Sequence, residues 1–238
     1  MVHLEPVKRI TVTEQVMEQI AGLVINQKLA PGTQLPNERD LAESLGVTRG
    51  RVREALRALS LVGLITIKAG EGSFVNHQET PIPVETITWM FHSELNNIDE
   101  VYATRKLIET EVYLQAAEHA TEQALTELTR MVERLSETRD PEKFHQLIDQ
   151  CDIAVGEMCG NRILAKLMQT MVHLRKQTSH KILQVPGSMS KSAESRRALL
   201  HALQTGDRKR IREIMETHLT TSKQFYASHV AEGDEELD

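Results

Sequence analysis

Aromatic side chains make up only 3% of this 238-residue chain, so its core must be filled by aliphatic residues and the nine Met. That filling is typical of helical bundles. Cysteine is as scarce. Cys151 and Cys159 stand on one expected helix, about 12 Å apart at ~1.5 Å per residue, which is beyond disulfide reach and fits a reducing cytoplasm. No apolar run approaches membrane-spanning length and no signal peptide is legible, so a cytoplasmic protein with no membrane partner is expected. Also missing are a Gly-rich phosphate loop, a nucleophile elbow, Cys-x-x-Cys and His-Glu-x-x-His. The paired carboxylates Asp149 and Asp152 lie on one helix rather than across a cleft. No enzyme is predicted.

What remains is charge and periodicity. The net charge of −6 looks wrong for a nucleic-acid binder until the chain is divided. Residues 1–77 carry 9 Lys and Arg against 8 Asp and Glu, and the rest carries 19 against 26. The acidic part is thus unsuited to phosphate and suits a sensor or assembly domain. A chain of this length with 40% hydrophobic residues can build two cores.

Asn37 through Leu59 reads as two short helices across a Gly turn. Asn37 is placed to cap the first, with Asp40 three residues on, and Gly46 to stop it. Thr48 is a second cap candidate. Beyond it, Val52, Ala55, Leu56 and Leu59 share one face, while Arg49, Arg53 and Arg57 form a basic stripe beside it and Arg51 lies across Gly50. Arginine pairs bidentately with guanine or grips phosphates, so this is a helix-turn-helix with its second helix aimed at DNA. Upstream, Val12, Val16, Ile20, Leu23 and Val24 give a further helical stripe. Downstream, Leu64–Ile67 and Ser73–Asn76 are strand-prone runs around Lys68-Ala69-Gly70-Glu71-Gly72, a hairpin that makes a wing.

These residues carry a family resemblance. Pro31-Gly32-x-x-Leu35-Pro36-x-Glu38-Arg39-x-Leu41-Ala42, then Val47-x-Arg49-x-x-Val52-Arg53-Glu54-Ala55-Leu56, then Gly63-Leu64 and Gly70-x-Gly72-x-Phe74-Val75 are similar to the N-terminal domain of GntR-family bacterial repressors. The resemblance implies operator-DNA contacts from Arg39, Thr48, Arg49, Arg53 and Gly70, with Arg51 added on its position. It also implies a homodimer on a pseudo-palindromic double-stranded site.

The fold class expected is mainly α: a winged helix-turn-helix in 1–77, a stiff Pro-x-Pro linker in 78–83, an all-α bundle in 84–230 for effector binding and dimerisation, and a disordered acidic tail in 231–238. About seven helices are expected in the bundle, punctuated by Asn97, Thr121, Asp140-Pro141, Gly160, Pro186-Gly187 and Gly206-Asp207. Arg105-x-x-x-Glu109, Gly160-Asn161 and Met215-x-x-His218-Leu219 resemble the helical ligand domain of the FadR subfamily of GntR regulators. Many of its members hold a divalent metal, which grips a carboxylate effector, with an Asp, a His four residues on, and two later His. Here Ile148 falls at the Asp position, Asp152 at the first His and Arg196 at the second; only His218 survives. Arginine cannot donate a lone pair, so Asp152 and Arg196 are expected to form a charge pair in the same cavity. The alternative is a shifted Zn or Ni site built from Asp149, Asp152 and His218, with His145 on the same face as the two carboxylates.

The implied effector is a small anion of organic-acid type received by Arg105 and Arg196; for Arg175 a surface ion-pair network is expected. The effector residues expected are thus Arg105, Asp149, Asp152, Arg196 and His218. An architectural DNA-binding protein with a purely structural bundle is the other reading, and it predicts an apolar interior with no inward charge.

Overall fold

The structure is a computed structural model that describes residues 10–26, 29–77, 83–91 and 97–235. Its chain divides into two compact units, Met1–Thr86 and Ile87–Asp238. The first holds α1 (Val12–Asn26), α2 (Glu38–Leu45), α3 (Arg49–Leu61), β1 (Ile65–Lys68) and β2 (Gly72–Val75). Val16, Ile20 and Val24 of α1 are buried against Leu41 and Ala42 of α2 and Val52, Ala55, Leu56 and Leu59 of α3. Val12 breaks the expected stripe and is exposed, because it opens the helix beyond the edge of that core.

Local chemistry sets the helix ends. Asn37 Oδ1 accepts from the Arg39 and Asp40 amides, and Asn37 Nδ2 donates to Asp40 Oδ2 at 2.7 Å. Gly46 ends α2 in the left-handed conformation. Thr48 occupies the cap position of α3 with extended backbone, yet its hydroxyl makes no capping hydrogen bond. The two strands pair antiparallel, Ile65 with Val75 and Lys68 with Gly72, one residue nearer the turn than the sequence pattern suggested. The tightening follows from the bond between Glu71 N–H and the Lys68 carbonyl, which places Gly70 at a turn position with φ 78°.

The second chain segment carries α4 (Val84–Met90), α5 (Ile98–His119), α6 (Glu122–Glu137), α7 (Pro141–Met158), α8 (Arg162–Ile182), α9 (Ser188–Thr205) and α10 (Arg208–Glu235). These are seven helices from Val84 onward among the described residues, with the caps on Asn97, Thr121, Asp140 and Gly206 where the sequence placed them. Helix α5 packs against α7, α8, α9 and α10, so whatever it carries lies at the centre of the bundle. Aromatic poverty is met by Met158, Met168 and Met215 in the core. Helices α7 and α8 approach closely at Gly156, which has no side chain to hold them apart; a Cβ there would stand 3.3 Å from Met168 Cβ. Residues 78–82 of the expected linker lie outside the described residues. The expected tail is reached by α10, which continues to Glu235, since nothing in Ala231–Glu235 breaks a helix as proline would; residues 236–238 lie outside the description.

Candidate functional site

Two constellations stand out, one in each unit. On the first, Arg49 and Arg53 converge on Glu38 at the start of α2, a residue of the sequence motif to which the sequence assigns no contact. Arg53 grips it bidentately, with Nε at 2.9 Å from Oε1 and Nη2 at 2.6 Å from Oε2. Arg49 Nη2 stands 3.8 Å from the same Oε2. The hydrogen bond from Arg53 holds the Glu38 carboxyl below its usual range. The two arginines keep 63% and 50% of their side chains exposed, so the pair is fixed in direction without being buried.

Arg51 goes elsewhere. Its Nη1 donates to Glu54 at 3.1 Å and to Thr13 of α1 at 3.3 Å, on the other side of α3. Arg39 lies exposed beside Asp40 and Glu43, and Gly70 stands at the wing tip with nothing within 4 Å of where a Cβ would sit.

In the second unit six side chains able to carry charge near neutral pH are buried among the described residues: Arg105, Glu109, His145, Asp152, Arg175 and Arg196. Asp152 of α7 is their hub. Its Oδ2 accepts from Arg196 Nη2 at 2.7 Å and from Arg175 Nη1 at 2.6 Å, and its Oδ1 accepts from the Tyr113 hydroxyl at 3.1 Å. Arg175 also reaches Asp149 Oδ1 at 3.0 Å, and His145 Nδ1 approaches the other oxygen of Asp149 at 3.5 Å. Arg196 Nη1 donates to Ser192 at 2.9 Å, and Arg105 Nε to Glu109 at 2.7 Å. Burial alone would push the Asp152 carboxyl up, but the guanidiniums of Arg196 and Arg175 hold it well below the usual carboxylate range. Tyr113 is pushed well up by burial and by Asp152 beside it.

The sequence placed Arg175 in a surface network, and that expectation is overturned. Helix α8 lies directly on α7, which turns Arg175 inward until only 3% of it is exposed, with Asp152 and Asp149 compensating its charge. Tyr113 was also missed, although Arg105, Glu109 and Tyr113 recur four apart on α5, a stripe that puts all three on one helix face.

Above this network lies a cavity of about 200 Å³, walled by Arg105, Arg175 and Arg196, by His218, and by a run of serine and threonine hydroxyls. The carboxylates of Asp152 and Glu109 stand behind the arginines and are not part of the wall. The other charges on the wall, Lys191 and Glu194, pair with each other at 2.9 Å. His218 is half-buried, its open side on the cavity, and burial together with Arg196 and Arg105 pushes it down to about 3, so it is neutral.

Residues 12–75 match the bacterial regulatory proteins of the gntR family, and residues 100–221 match the FCD domain. The chain belongs to the GntR family, in its FadR branch with an FCD domain. It is 26% identical over 219 residues to the HTH-type transcriptional regulator LutR of Bacillus subtilis, covering 88% of this chain and 99% of LutR. It is 32% identical over 138 residues to the HTH-type transcriptional repressor NanR of Salmonella bongori, covering 57% of this chain and 52% of NanR. In fold it is similar to Streptococcus agalactiae GntR, with a TM-score of 0.66 at 21% identity over 90% of this chain and 100% of the other. As a GntR protein it is a DNA-binding transcription regulator with a ligand-binding FCD domain, and not an enzyme.

The divalent metal of many FCD domains does not fit these residues. Asp152 has both oxygens taken up by Arg196, Arg175 and Tyr113, and Asp149 is held by Arg175. A guanidinium would repel the ion while occupying the lone pairs it needs. Among the described residues no three His, Cys, Asp or Glu side chains gather as a metal requires, so the alternative site of Asp149, Asp152 and His218 is not assembled. No helix among them is long and apolar enough to cross a membrane.

Proposed function

We propose that this chain is a cytoplasmic, homodimeric repressor that binds a pseudo-palindromic operator through α3 and the wing and is released by a small carboxylate held in the bundle. The observation that carries the effector reading is the wall of three guanidiniums whose neutralising carboxylates stand behind it, facing a cavity rather than packed apolar side chains. An architectural bundle has no use for buried ion pairs of this kind, which cost desolvation without a ligand to serve. Arg105 and Arg196 receive the acid group, Asp152 and Asp149 position the arginines, and neutral His218 offers a hydrogen bond without repelling them. On DNA, Glu38 presents Arg49 and Arg53 to base edges, while Arg39, Arg51, the Thr48 hydroxyl and the Gly70 backbone serve phosphates. The repressor named NanR among the relatives supports the sign of regulation.

The test begins with a duplex selected from a random library by the wild-type protein. Replacing Arg49 or Arg53 by Ala should weaken its binding at matched salt by ~1–3 kcal/mol. A panel of organic acids should release the duplex from wild type and fail to release it from Arg196→Ala. An Arg49→Ala protein that binds as tightly as wild type would overturn the DNA surface, and no release by any acid would overturn the effector.

A further inference from the structure

The cavity has a second polar end that the arginine network does not use. Along α9, Ser188, Ser192, Ser195 and Arg196 all line the wall, at the three-and-four spacing of one helix face. The Arg196 side chain leans back one turn, since its Nη1 donates to Ser192. Ser188 stands a further turn away, about 6 Å along the axis at ~1.5 Å per residue. Two buried polar atoms on this face have no hydrogen-bond partner among the described residues, Arg196 Nε and Ser188 Oγ. Ser188 is 2% exposed and lines the cavity wall. Both atoms can donate, and a guanidinium N–H can only donate.

The helix end adds to the demand. Helix α9 starts after Gly187, which has no side chain to cap the first turn; the Ser188 amide donates to the Val185 carbonyl, and the helix dipole adds a partial positive charge at the end that carries Ser188. The same wall carries the aliphatic side chains of Ile148, Ile182 and Leu183.

We infer that the cavity takes a straight-chain dicarboxylate of about four to six carbons, one acid group on Arg196 and Arg105 and the other on Ser188 and the amino end of α9. This rests on the anion reading above and names Ser188 as the residue that distinguishes a two-ended ligand from a simple acid. The ligand matches each unmatched donor with a charged acceptor, and its methylenes lie on the three aliphatic side chains. A monocarboxylate of the same length fills one end and leaves the Ser188 hydroxyl unmatched.

The experiment uses the full chain, with binding measured by titration calorimetry and by thermal shift. Succinate, glutarate and adipate are compared with butyrate, pentanoate and hexanoate. At least one diacid should bind about fivefold or more tightly than the monoacid of equal length, the factor one added hydrogen bond supplies. Ser188→Ala should cut that advantage by half or more, leaving the part supplied by the amino end of α9, and leave monoacid binding unchanged; it should not unfold the protein, since it removes an unpartnered hydroxyl. Equal binding of mono- and diacids, or a diacid advantage undiminished in Ser188→Ala, overturns the two-ended site while the anion reading stands. Binding of neither kind of acid overturns the anion reading and this inference with it.

Discussion

Asp152 holds two guanidiniums and a phenol in the bundle core, and its replacement should therefore cost more than the loss of either arginine. Removing one partner of a buried pair strands the other charge, at ~3–5 kcal/mol. Asp152→Ala strands Arg196 and leaves Arg175 with Asp149 alone, and belongs at the top of that range. Arg196→Ala leaves Asp152 with Arg175 and belongs at or below the bottom. The double variant should recover part of the Asp152→Ala loss, because one stranded cation is gone. Urea unfolding of the four proteins checks this, and strictly additive losses would mean that the residues do not act as a pair.

His218 makes a pH prediction with a definite sign. Its folded-state value, pushed down to about 3, lies below the unfolded value of about 6.5. The unfolded chain therefore binds the proton first, so the stability it supports is full above about pH 6.5 and is lost as pH falls toward 3. His145, lowered by burial, acts in the same direction. Replacing His218 by Gln should flatten the stability slope between about pH 4 and 6 by up to ~1.4 kcal/mol per pH unit. An unchanged slope in thermal or urea unfolding across that window would show that His218 is protonated at no cost in the folded protein.

At the scale of elements, the wing depends on one backbone conformation. Gly70 has φ 78° and open space where a side chain would go, so the cost of Gly70→Ala is strain and not a clash. That cost is ~1–2 kcal/mol, and Gly70→Asn should cost less because Asn tolerates the left-handed region better. Hydrogen exchange of the hairpin amides reads it directly. Equal effects of Ala and Asn would mean that left-handed strain does not set the cost at this position. The helices were more legible than the hairpin. Caps at Asn37, Asn97, Thr121 and Asp140 act through hydrogen bonds two or three residues away, information the local sequence contains. Strand ends came out one residue off because the Lys68–Glu71 turn bond, not strand propensity, sets them.

For the whole molecule, one recognition helix per chain reads too few base pairs for specificity, and a homodimer should place two of them about 34 Å apart on successive turns of DNA. Equilibrium sedimentation at micromolar concentration should show the dimer, and the selected duplex should contain two inverted half-sites. A monomer with full operator affinity would end that proposal.

The sequence determined the elements and the family, because caps, three-and-four spacing and the spaced motifs of the DNA-binding unit are properties of neighbouring residues. It also brought Asp152 and Arg196 into consideration together, although they are far apart along the chain, because each stands where the family resemblance places a metal-binding His and their charges are opposite. Arg175 falls on the three-and-four stripe of Met168, Met171 and Val172, a signal of burial legible in α8 itself. Only the tertiary structure decided what compensates it, since Asp149 and Asp152 come from α7. The same holds for Glu38, which meets Arg49 and Arg53 only once α2 and α3 cross, and for Ser188, an ordinary serine until a cavity leaves its hydroxyl without a partner among the described residues. Local chemistry is written along the chain; the compensation of a buried charge is written across it.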